Sequence, residues 1–183
     1  MLTVVIGGSG SGKSEFAENL AVKKGKEKKL IYIATMQPFD KETEIRIKKH
    51  QDMRKEKKFH TIECFTRLES VSLPPLSVVL LECMSNLIAN EMFGEEGAKI
   101  NTLSAVKAGL NSILEQSEEV VVVTNNVFEE GTNVDQMTER YIRVLAEING
   151  WLCKQADVAV EVIHGIPVWI KQGGTKQNES AGK

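Results

Sequence analysis

Cysteine is scarce in this 183-residue chain: Cys64, Cys83 and Cys153 are odd in number and far apart. That pattern fits neither a disulfide framework nor the paired spacing of a zinc site, so reduced, packed thiols are expected. An excess of charge of either sign is also missing. The 23 basic and 25 acidic side chains nearly cancel, so no global field draws the chain to nucleic acid or to an anionic membrane, and basic patches must be local. No apolar run approaches the roughly 20 residues that span a bilayer. The opening Met1-Leu2-Thr3-Val4-Val5-Ile6 runs straight into glycines without the basic, apolar and cleavage regions of a signal peptide, so a cytoplasmic protein is expected. There is no internal repeat. What remains is a chain with 42% hydrophobic residues, long enough for one continuous core and short for two. One domain is expected over residues 1–171. Residues 172–183 hold Gly, Lys, Asn, Ser and Gln without apolar periodicity, the composition of a disordered tail.

Four short apolar runs rich in β-branched residues read as buried strands: Leu2 to Ile6, Leu30 to Ala34, Ser77 to Glu82 and Val120 to Thr124. Helical spacing occupies Lys13 to Lys24, Lys41 to Lys57, Met84 to Met92, Thr102 to Glu115 and Val134 to Gln155. Such alternation predicts an α/β fold, a mainly parallel sheet with helices on both faces. Val158 to Ile163, Gly165-Ile166-Pro167 and Val168 to Lys171 predict a C-terminal hairpin at the sheet edge. His60 to Glu63 is too short to assign.

Gly7-Gly8-Ser9-Gly10-Ser11-Gly12-Lys13-Ser14 matches G-x-x-x-x-G-K-[ST] between a strand and a helical pattern, the context a phosphate-binding P-loop requires. Glycines let the backbone curl so that N–H groups point inward, and the helix that follows adds its positive end. Lys13 is placed to bridge β and γ phosphates, and Ser14 to offer a hydroxyl to Mg²⁺. P-loop proteins also need a carboxylate near the metal, commonly where a neighbouring apolar strand ends. Glu82 closes Val78-Val79-Leu80-Leu81 in that way.

Arg46, His50 and Arg54 are four residues apart, so in a helix they share one face. Two guanidinium forks could hold phosphates around an imidazole able to attack phosphorus. Spacing alone also fits a solvated basic helix, because Lys48, Lys49, Lys55, Lys57 and Lys58 make the segment positive in any case. His60 and His164 fit turn or surface roles.

Taken together, the P-loop, Tyr32-Ile33-Ala34-Thr35, Arg46-Ile47-Lys48-Lys49-His50 with Arg54, Thr61-Ile62-Glu63, Leu80-Leu81-Glu82-Cys83 with Asn90, Val123-Thr124-Asn125, Ala156-Asp157 and Gly165-Ile166-Pro167 with Lys171 resemble the bifunctional cobinamide kinase/cobinamide-phosphate guanylyltransferase family of cobalamin assembly. The resemblance implies a RecA-like sheet and two reactions: phosphorylation of adenosylcobinamide, then transfer of GMP from GTP onto that phosphate. It implies that His50 becomes guanylylated, that Arg46 and Arg54 are phosphate ligands, and that Glu63 and Glu82 are polar groups of the nucleotide and metal site. A homotrimer follows from the resemblance alone, as does a corrinoid partner beside GTP or ATP. The chain departs from the family pattern at Asn126-Val127-Phe128, where V-T-N-E-V-G is usual, and at Ala146-Glu147-Ile148-Asn149-Gly150, where G-R-x-N-Q is usual. These departures point at the acceptor side or a subunit interface, and leave a kinase without guanylyl transfer, or a nucleotide-dependent binding protein, as the alternatives.

Overall fold

Alternate residues of a strand face opposite sides of its sheet, so a strand buried on both sides feeds two cores at once. The computed structural model, which describes residues 1–126 and 135–173, shows this parity in the four strands at the centre of the sheet. In chain order the elements are β1 (Leu2–Gly7), α1 (Lys13–Lys24), β2 (Lys29–Ala34), α2 (Lys41–Arg54), β3 (His60–Glu63), β4 (Ser77–Glu82), α3 (Met84–Phe93), α4 (Thr102–Gln116), β5 (Glu119–Asn125), α5 (Gln136–Gln155), β6 (Val158–Ile163) and β7 (Ile166–Lys171). The sheet order is β3-β2-β4-β5-β1-β6-β7. Every pairing is parallel except β6 with β7.

Leu2, Val4, Ile31, Ile33, Val79, Leu81, Val120 and Val122 point to one side and pack with Leu87 and Ile88 of α3, Leu110 and Ile113 of α4, and Leu145 and Ile148 of α5. Val5, Tyr32, Val78, Leu80, Val121, Val123 and Val160 point to the other and meet Ala17 and Ala21 of α1. Small residues at those two positions let α1 lie close to the sheet. All six residues of β4 are buried, so its last residue, Glu82, is delivered to the carboxyl end of the sheet beside the loop that follows β1. In open α/β sheets that end is where ligands bind.

The α2 helix is built differently. Asp40 caps it by accepting from the Thr43 N–H at 2.8 Å, a device that stabilises a helix start by about 1 kcal/mol. Yet Ile45 is 68% exposed, and among the described side chains of the helix none belongs to either core cluster. Only its C-terminal end is fastened, with Arg54 buried. The basic pattern reads as helical through Lys57, but the helix stops at Arg54 because tight turns follow: the Lys55 N–H donates to Asp52 O and the Lys57 N–H to Arg54 O. Stopping there frees Lys57 to reach α1.

His60 to Glu63 is a strand, paired in parallel with β2 from Ile31↔His60 to Ala34↔Glu63. At the opposite edge, His164 (φ 48°) and Gly165 (φ 81°) form the two-residue turn that suits a twisted hairpin. Pro167 sits in β7, an edge strand, where the missing N–H costs no ladder bond on the open side. Trp169 of β7 meets Phe16 of α1 edge to face with ring centroids 6.1 Å apart. Residues 174–183, most of the expected tail, lie outside the described residues.

Candidate nucleotide site

Backbone crowding explains why glycine opens the loop after β1. A Cβ on Gly7 would lie 2.6 Å from both Ser11 Oγ and Val162 O, closer than real Cβ atoms come. Gly12 has φ +86°, and a Cβ there would meet Gly165 Cα at 3.3 Å. The hairpin turn is that close because the Gly165 N–H donates to Ser11 O at 2.7 Å. The far edge of the sheet therefore braces the loop, a contact that sequence spacing does not reveal. The Lys13 ammonium folds back to Gly8 O at 3.0 Å. Burial pushes its pKa below the ordinary lysine range, Arg46 acting in the same direction and Cys83 and Glu82 opposing.

Glu82 is the hub of the site. Its Oε1 accepts from Ser14 Oγ, its Oε2 accepts from the Tyr32 hydroxyl at 3.2 Å, and His50 Nδ1 lies 3.4 Å from Oε1. Burial, reinforced by the Glu82 charge, pushes the Tyr32 phenol upward, so it stays protonated and remains a donor. The Arg54 guanidinium stacks on the Tyr32 ring, 3.5 Å from its centroid. Burial lowers the His50 pKa from its usual value, Glu82 opposing and Arg54, Arg46 and Lys49 adding to the fall. At neutral pH the imidazole is therefore uncharged and keeps a lone pair.

These groups surround one cavity of about 870 Å³, lined by the loop from Ser9 to Ser14, by Arg46, His50 and Arg54 of α2, and by Glu63 and Glu82 at strand ends. Gly7 is buried and Gly8 exposed at the start of the same loop, and neither lines the cavity. Along α2 burial increases toward the sheet, Arg46 being exposed, His50 intermediate and Arg54 buried. The face read from four-residue spacing is thus tilted, its last member pressed onto β2 and its first held over the opening.

Three site residues are not evident from sequence spacing. Glu18 follows Ser14 by one helical turn and is 0% exposed, with Lys57 donating to its Oε2 at 2.7 Å. Tyr32 supplies the stacking surface for Arg54. Thr35 pins the end of β4, its Oγ1 accepting from the Cys83 N–H at 2.7 Å and donating to Cys83 O at 2.8 Å. The i, i+4 spacing of Ser14 and Glu18 was the available signal, and a second glutamate, Glu15, in the same short helix hides it.

The two departures from the family pattern fall in different places. Glu147 is exposed and pairs with Lys107 of α4 at 3.4 Å, away from the cavity wall. Asn149 is buried, accepting from Thr124 Oγ1 at 2.7 Å and donating to Asn125 O at 3.2 Å, so it ties α5 to the end of β5. The Asn126 N–H donates to Gly7 O at 3.3 Å. Val127 and Phe128 lie outside the described residues.

A P-loop cradle, a strand-end carboxylate and a histidine thus share one cavity, and comparison with known proteins gives the family. The model of the cobinamide kinase/cobinamide phosphate guanyltransferase family matches residues 3–170. The chain belongs to that family. It is 30% identical to the bifunctional adenosylcobalamin biosynthesis protein CobU of Salmonella typhimurium (strain LT2) over 185 residues, covering 93% of this chain and 100% of that one. The CobU protein of Escherichia coli (strain K12) is equally similar, at 30% identity and the same coverage. Among solved structures, an ATPase domain superposes with a TM-score of 0.50 at 10% identity, covering 87% of this chain and 68% of that chain, which places the family member in the RecA-like P-loop fold. Among the described residues no helix is long and apolar enough to cross a membrane.

Proposed function

We propose that this cytoplasmic protein phosphorylates the aminopropanol hydroxyl of adenosylcobinamide and then transfers GMP from GTP to the new phosphate, through a guanylyl group carried on His50. The observation that carries the reading is the convergence of His50, Glu82 and the P-loop on one cavity. Nδ1 of His50 faces Glu82, which leaves Nε2 as the free nitrogen. Its lone pair attacks the α-phosphorus, the bond from that phosphorus to the bridging oxygen breaks, and pyrophosphate leaves. Glu82 stabilises the positive charge that develops on the ring as the N–P bond forms. An oxygen of the corrinoid phosphate then attacks the same phosphorus, the N–P bond breaks, and neutral His50 is restored with adenosylcobinamide-GDP as product.

Backbone amides of Gly8 to Ser14, with Lys13, hold the nucleotide phosphates, while Arg46 and Glu63 border the mouth of the site. Ser14 and Glu82 fit Mg²⁺: both are oxygen donors, already in mutual contact beside the cradle, as a small hard cation requires. Bound there with GTP or ATP, it would neutralise phosphate charge. A homo-oligomer, a trimer by family analogy, completes the proposal.

Supplying adenosylcobinamide with ATP, GTP and Mg²⁺ tests it. Adenosylcobinamide phosphate and adenosylcobinamide-GDP should both form with the native chain, and His50→Ala should stop at the phosphate. Formation of the GDP product by His50→Ala would overturn the covalent route. Absence of both products from folded native protein that binds GTP would overturn the enzymatic reading.

A further inference from the structure

Beneath the phosphate cradle lies a donor set that Mg²⁺ would not choose. One ligand atom each from Glu18, His50 and Glu82 lies within 4.8 Å of the others. Glu18 sits at 0% exposure inside α1, and Lys57 satisfies only its Oε2. Its Oε1 is buried without a hydrogen-bond partner, and so is His50 Nδ1. Two orphaned atoms in one cluster, one from an acidic group fully out of water, are costly unless a ligand satisfies them. The donors are two carboxylates and one imidazole nitrogen. Mg²⁺ is served by oxygens, whereas a nitrogen–carboxylate set suits Zn²⁺ and its first-row neighbours. Tetrahedral Zn²⁺ at about 2.0–2.2 Å from each donor needs donor separations of roughly 3.3–3.6 Å. His50 Nδ1 and Glu82 Oε1 already stand 3.4 Å apart, so what has to close, by up to about an ångström, is their distance to Glu18, a movement open to His50 because α2 is fastened mainly at Arg54.

The geometry points to a transition-metal site formed by Glu18, His50 and Glu82 in the nucleotide-free protein, taking Zn²⁺ or a similar borderline divalent ion and switching off the histidine. The chemistry of inhibition follows from the ring. A neutral imidazole has one nitrogen lone pair in the plane; if Nδ1 gives it to a metal, the proton resides on Nε2, which is then no nucleophile. Glu82 would at the same time be withdrawn from Ser14. Lys13, Arg54 and Lys57 oppose added positive charge, so the coordinate bond to nitrogen has to supply the selectivity for Zn²⁺ over Mg²⁺. The inhibitory consequence rests on His50 being the nucleophile; metal binding does not.

The test is titration of nucleotide-free protein with Zn²⁺ alone by calorimetry, together with Co²⁺ absorption spectroscopy. One Zn²⁺ per chain is expected, with visible Co²⁺ bands characteristic of low coordination number. Affinity should fall at least tenfold in His50→Ala and in Glu18→Gln, and stay within twofold in Cys153→Ser, which removes a thiol outside the cluster. His50 lies on the weakly packed α2, so its variant keeps the test usable if Glu18→Gln misfolds. A Zn²⁺ affinity that is unchanged by His50→Ala, or no binding by the native chain, overturns the site. Zn²⁺ that binds through His50 yet leaves guanylylation undiminished while it stays bound beside GTP would overturn the inhibition and retain the site.

Discussion

Replacing Arg54 with Ala separates two roles that the geometry allows one side chain to combine. The guanidinium is stacked 3.5 Å from the Tyr32 ring centroid and is buried with Nη1 unpartnered. A desolvated cation–π contact of this kind contributes about 2 kcal/mol. Among the described side chains of α2 no apolar one belongs to either core cluster, and this contact and the Lys57–Glu18 ion pair at 2.7 Å hold the end of the helix that carries His50. If the stacking energy is spent on keeping His50 over the cradle, its loss should slow guanylylation about 30-fold at saturating GTP. GTP affinity, set by the P-loop, should change less than threefold. Arg54→Lys keeps the charge without the planar stack and should recover only part of the rate. The assay is the single-turnover rate of label transfer from α-labelled GTP to protein, with the GTP Kd measured separately. A wild-type rate in Arg54→Ala would refute the anchoring argument. A weakened Kd with a normal saturated rate would assign Arg54 to phosphate binding instead.

Gly7→Ala should weaken nucleotide binding and lower stability by about 1–3 kcal/mol, because its Cβ meets Ser11 Oγ and Val162 O at 2.6 Å, whereas Gly8→Ala, with nothing within 4 Å, should leave stability unchanged; GTP titration of the first and parallel thermal melts of both check this. Burial holds the His50 pKa below its usual 6.5, so kcat/KM for guanylylation should hold steady as pH falls to that value and decline only below it, as the ring takes up a proton and loses its lone pair. The same depression means the folded state binds fewer protons than the unfolded one, so this group's effect on stability is absent at high pH and becomes a penalty as pH falls below the unfolded value; an activity midpoint above 6.5 would contradict the assignment. Asn149→Ala should cost about 1–3 kcal/mol by stranding Thr124 Oγ1 and Asn125 O, read as a lower denaturation midpoint with an unchanged slope.

Much of the catalytic end was legible in the residues because its signals are local. Glycine spacing and Lys13-Ser14 placed the loop, and α1 begins and ends at the residues the pattern gives, Lys13 and Lys24. β4 could be read because all its residues are apolar up to Glu82 apart from Ser77. The hidden parts depend on contacts distant in sequence. β3 is four residues long and mostly exposed, so neither a buried run nor alternation marks it. Glu18 resembles any helix glutamate until the fold sets it beside Glu82. The tilt that buries Arg54 and exposes Arg46 depends on Tyr32 offering its ring from β2. The hairpin was visible at Gly165, but not that its amide holds Ser11 O.

Whether His50 carries GMP is decided by incubating the purified protein with Mg²⁺ and α-³²P-labelled GTP, followed by denaturing electrophoresis beside His50→Ala. Acid-labile, alkali-stable label is expected on the native chain and none on the variant. Label of equal intensity on His50→Ala, or no label on folded native protein that binds GTP, would contradict it.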